Sequence, residues 1–129
     1  MNAPPNLNAA LRACARGLYA TEASVELLIS HGTFLRRNDF HHRFVHHGAT
    51  DGTTQTAAID WPAAITALDA GELPCSGGEH RILRIAASLA AGIPADLRDC
   101  LTGLDQDNIQ RVINAVLHAS GRRPRVTIP

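Results

Sequence analysis

Leu7, Leu11, Cys14, Leu18, Thr21, Val25 and Leu28 recur in alternating steps of four and three. Since 3.6 residues complete a helical turn, that spacing returns each of them to one side of a helix. It predicts a helix from about Asn6 to Ser30 with a single apolar seam. A seam of this kind must be covered by other helices or by a second chain. Gly32 is placed to end the helix in the left-handed conformation. Gly17 lies off the seam, and Thr21 with Glu22 can equally restart the chain as a second helix.

Helix punctuation continues along the chain. Asn38 and Asp39 can cap a short helix through His47, closed by Gly48, with Phe40 and Phe44 one turn apart toward the core. Gly48 to Thr56, rich in Gly and Thr, reads as an exposed loop. Asp60 before Trp61 and Pro62 starts a helix that should reach Ala70 and stop at Gly71. Ser76 and Glu79 have capping-box spacing, and Ile82, Ile85, Ala86 and Leu89 carry a helical face to Gly92. Pro94 resets the chain. Ala95 to Thr102 then gives a short helix with Leu97 and Leu101 inward. Asp105 opens a last helix with Ile109, Val112, Ile113, Val116 and Leu117 on its core face, ended by Gly121.

The expected class is therefore all-α, a small bundle of about five to six helices. A short hairpin near residues 43–60 is the alternative to the loop, with Phe44 to His46 pairing with Thr56 to Ile59 across Asp51-Gly52. Residues 1–121 form one helical domain and 122–129 a flexible basic tail. A chain of 129 residues, 45% hydrophobic, can bury a core without covalent staples.

Composition narrows the function classes. The three cysteines, Cys14, Cys75 and Cys100, are widely spaced and form no C-x-x-C pair, so neither a disulfide framework nor a zinc ribbon is indicated. With no leader-like segment near Met1 and no long apolar run, a cytoplasmic protein off the membrane is expected. All twelve basic residues are Arg and none is Lys, while Ala is abundant, which is the codon signature of a GC-rich bacterial genome. Twelve acidic residues balance them, so no global field draws the chain to nucleic acid or an anionic surface.

Four histidines, His41, His42, His46 and His47, fall in one segment. On a continuous helix Asp39, His42 and His46 project within a narrow arc opposite Phe40, the arrangement of a three-ligand zinc patch completed by water. No H-E-x-x-H base accompanies them, and the plainer reading is a solvated polar face. Clustered imidazoles also offer a charge that changes near neutral pH.

Ser76, Gly77 and Gly78 at a helix start can hold an anion, and the same amides can lower the pKa of the Cys75 thiol. Cys75 to Arg81 has C-x5-R spacing and so resembles the phosphate cradle of tyrosine phosphatases, but Pro74 and Ile82 replace that family's flanking residues and Glu79 puts a negative charge in the cradle. Ser76-Gly77-Gly78-Glu79 with Arg81, Ile85, Ala86 and Leu89 also resembles the signature helix of ATP-binding cassette ATPases, and Thr102-Gly103-Leu104-Asp105 is similar to a later loop of that family. The likeness stops there. The G-x-x-x-x-G-K-[ST] loop is missing, and Ile93 to Arg98 cannot be the apolar magnesium-binding strand.

Ala95 to Thr102, Gly103 and Asp105 to Val116 have helix-turn-helix lengths, with Arg122, Arg123 and Arg125 as a basic arm for nucleic acid. Against that use, Asp105 and Asp107 open the would-be recognition helix. No G-x-S-x-G elbow, G-x-G-x-x-G turn or Ser/His/Asp set is present. The expectation is a non-enzymatic interaction or regulatory module with no cofactor, working with a protein partner or as a homodimer. Zinc binding and nucleic-acid binding are its alternatives.

Overall fold

The predicted long helix breaks at Gly17. In a computed structural model that describes residues 7–50, 52 and 54–122, α1 spans Leu7–Ala15 and α2 spans Tyr19–His31. Gly17 adopts φ +88°, a left-handed conformation that carries little cost only without a Cβ. Its N–H donates to the Glu22 carboxylate at 2.8 Å, so the residue that restarts the chain also ties down the turn. α2 then folds back on α1, where Arg12 grips Glu26 through two hydrogen bonds of 2.7 and 3.0 Å. Leu7, Leu11, Val25 and Leu28 are buried between elements of the same chain, while Cys14 and Leu18 at the bend are exposed. Apart from the bend, the seam thus belongs to the core of the same chain.

A 3-10 turn, Phe34–Arg36, leads into α3, Asn38–Phe44. The expected continuation of α3 to His47 does not occur, because the chain extends at Val45. β1, Val45–Thr50, pairs antiparallel with β2, Thr54–Ile59, in the register Val45 to Ile59 and His47 to Ala57. Val45, Ala57 and Ile59 are buried along one face, and β2 packs on α1. Burying these residues together requires period two, which outweighs the helical spacing of the histidines. Gly48 lies within β1 instead of ending a helix, and the segment expected as a loop is most of a hairpin turning at Gly52, φ +70°. Asp51 lies outside the described residues.

α4, Trp61–Asp69, begins where Asp60 accepts the Ala63 N–H at 3.1 Å. α5, Gly77–Ala91, carries the full capping box: Ser76 Oγ accepts from the Glu79 amide at 3.2 Å and Glu79 accepts from the Ser76 amide at 2.7 Å. It ends at Gly92, φ +68°. α6, Leu97–Thr102, and α7, Gln106–Ala119, complete the chain. The molecule is therefore mostly helical, with seven helices and one two-stranded sheet among the described residues, more helices than the bundle expected.

α2 is the spine, packed against α1, α5, α7 and the 3-10 turn. Its crossing with α5 uses the fully buried Ala23, Ser24, Ala86 and Ala87, and Ser24 Oγ donates to the Ala86 carbonyl at 2.9 Å. Phe34, Phe40 and Phe44 pack in sequence, tilted and then edge-to-face, with successive ring centroids 5.3 Å apart.

Two predicted core faces turn outward. α6 buries Cys100 and leaves Leu97 62% and Leu101 38% exposed. α7 presents Asn108, Val112 and Ala115 inward, leaving Ile113 44% and Val116 55% exposed. The reason lies in its tethers. Arg111 reaches Ser30 of α2 at 3.2 Å and His118 reaches Glu22 at 2.9 Å, so the more polar side of α7 is rotated onto α2 and its aliphatic stripe faces away. No helix among the described residues is long and apolar enough to cross a membrane.

Candidate functional site

The end of α3 at Phe44 disperses the predicted zinc set. Asp39 stays on α3, where Arg37 clasps both its carboxylate oxygens at 2.9 and 2.6 Å and its Oδ1 accepts the Phe40 N–H. That guanidinium holds the Asp39 carboxyl below the ordinary range and occupies its lone pairs. His42 is also on α3, but His46 lies on β1 and points to Asp60 Oδ2 at 3.4 Å. Asp39, His42 and His46 do not meet, and no group of three or more His, Cys, Asp or Glu is placed to hold a metal among the described residues.

The strand brings a different pair together. His47, two residues from Val45 on the same side of β1, swings toward α3, and its Nε2 lies 2.8 Å from Nε2 of His41. The rings sit with centroids 5.1 Å apart at the mouth of a cleft of about 490 Å³ lined by Asn38, His41, His42, Val45 and His47. Partial burial first, then the neighbouring imidazoles His47 and His42, push the His41 pKa down. Helical spacing cannot reveal this pair. Alternation over Val45 to His47, continued through the hairpin, is the signal that could have found it.

At the start of α5 one of the three residues expected to hold an anion, Ser76, has its amide taken by a side chain of the same helix. The Glu79 carboxylate sits on the Ser76 amide, beside Gly77 and Gly78 in the first turn, and is held in its charged form there. Cys75 does not gain acidity. Burial pushes its thiol pKa up, Glu79 adds to that, and Arg37 opposes it only in part. Arg81, the last residue of the C-x5-R spacing, bridges the start of α5 and the end of α6: its Nε donates to the Asp99 carbonyl at 3.1 Å, and its guanidinium lies against Gly77 and fills the place of a side chain at Gly103.

For nucleic acid, α6 and α7 follow one another as expected, but Asp105 is consumed capping α7 through the Asn108 amide at 2.8 Å. Arg122 is exposed just beyond α7, and Arg123 and Arg125, with the rest of the predicted tail, lie outside the described residues.

The same two helices carry an apolar surface groove. Leu101, Ile109, Val112, Ile113, Val116 and Leu117 line an open groove of about 300 Å³, every lining side chain aliphatic. Ile109, Ile113 and Val116 repeat in steps of four and three, the spacing of a helix–helix seam. The periodicity of α7 was legible in the sequence; its outward direction was not, because that depends on Arg111 and His118 finding α2. No protein-family model, no curated protein and no solved structure matches this chain.

Proposed function

We propose that the chain is a non-catalytic interaction module that pairs with a second copy of itself through the α6–α7 groove. One observation carries the reading: a continuous aliphatic groove on the outward face of a helix whose other side is fixed to the core. Single exposed aliphatics are ordinary, but Leu101, Ile113 and Val116, all exposed, line one groove together.

The occupant follows from the chemistry. A groove without charge on its lining offers nothing to a charged ligand. A helix with steps of four and three is complementary to another like it, and antiparallel pairing about a two-fold axis also opposes the helix dipoles favourably. With twelve basic and twelve acidic residues, two copies meet without net repulsion.

Sedimentation equilibrium across the micromolar range tests this. Reversible dimerisation is expected, and Ile113→Asp and Val116→Asp, both at exposed positions and each with its fold checked by circular dichroism, should each weaken it by about tenfold or more. A wild-type chain that stays monomeric up to several hundred micromolar, or a dimer unmoved by both substitutions, overturns the proposal.

A further inference from the structure

The geometry points to a second site, independent of the groove: we infer that His41 and His47 form a two-imidazole clamp for a divalent cation of tetragonal preference, copper(II) above all. The two Nε2 atoms lie 2.8 Å apart, and neither has another partner among the described residues. A metal bound to imidazole at about 2.0 Å holds two adjacent nitrogens about 2.8 Å apart in a square plane, against about 3.3 Å in a tetrahedron. The present spacing is that of a shared N–H···N hydrogen bond, and a small turn of the rings meets either arrangement, so the preference for copper(II) rests on the all-nitrogen donor set.

The supports are stiff although the rings are accessible. His41 follows Phe40 and lies one turn before Phe44 on α3, and both phenylalanines are buried. His47 is fixed by the pairing of β1, two residues after the buried Val45. The ring ends alone must turn so that both lone pairs converge on the ion, and two neutral imidazoles need lose no more than their shared hydrogen bond. The cleft beside them leaves room for water or a small donor molecule on the remaining positions. No carboxylate lines it, so the site adds no charge of its own and selection falls to nitrogen-preferring ions, among which copper(II) binds most tightly. The bound ion would tie the outer strand of the hairpin to α3.

The test is titration of the full chain with copper(II) alone in a non-coordinating buffer near neutral pH, followed by calorimetry and electron paramagnetic resonance. Expected are one ion per chain and an axial spectrum with two imidazole nitrogens. His41→Ala and His47→Ala should each weaken binding at least tenfold, with His46→Ala unchanged, and zinc(II) should bind at least tenfold more weakly than copper(II). His41 and His47 are replaced at accessible ring positions, and circular dichroism of each variant verifies the fold. Copper retained by the His41→Ala/His47→Ala double variant, or equal affinity for zinc, overturns the inference.

Discussion

His31 and His41 resist protonation for related reasons. His31 closes α2 with its ring stacked 6.2 Å from Phe34 and its Nδ1 buried without a hydrogen-bond partner among the described residues. Burial is the main cause of its lowered pKa, Arg111 and Arg36 add positive potential, and Glu79 and Asp105 oppose them. His41 is lowered by burial and then by His47 and His42. In the unfolded chain both titrate near the ordinary value of about 6.5. Below that pH the unfolded state binds more protons than the folded one, so stability is lost as pH falls from about 6.5 to the lower folded pKa values. The carboxylates of Glu22, Asp39 and Glu79 are depressed instead, and their contribution begins to disappear only below about pH 4.5. Denaturant unfolding is therefore expected to show stability falling between pH 7 and pH 5.5, with a shallower slope in His31→Asn. A slope that His31→Asn leaves unchanged would assign the pH dependence to other groups.

Capping chemistry was the most legible layer of this fold. Ser76 and Glu79 satisfy two otherwise open amides of α5, and Ser76→Ala is expected to cost about 1 kcal/mol, measured as a lower denaturation midpoint at unchanged slope. Glu79→Gln, which keeps an acceptor, should cost less. The same local grammar placed α4 at Asp60 and the stops at Gly71 and Gly92, because a cap is decided within three or four residues. It failed at Phe44–Val45 and along α7, where the deciding partners are distant in sequence. Val45 becomes a strand by burying itself with Ile59, and Ile113 and Val116 face outward because Arg111 reaches Ser30 and His118 reaches Glu22. The histidine site shared that fate. His41 and His47 do not share a side of a continuous helix, and the change from helix to strand at Val45 sets their nitrogens together.

On the scale of the whole molecule α2 is held from both sides, by α1 before it and α7 far after it. The Glu22 carboxylate accepts from Gly17 and contacts His118, joining the first turn of the chain to the last helix. A chain truncated after Thr102 leaves the face of α2 between Glu22 and Ser30 bare, and it is expected to lose cooperative thermal unfolding and to bind an apolar dye; a sharp transition in that chain would show α7 to be dispensable. The α2–α5 crossing has a different consequence, in the currency of mutation over generations. Ala23, Ser24, Ala86 and Ala87 have no solvent exposure, so any enlargement there must push two central helices apart. A lineage that keeps this architecture is confined to small residues at those four positions however far the rest of it drifts. Ile113 and Val116 carry no such burden from the fold, and whether they stay aliphatic as the sequence diverges depends on what the groove is for.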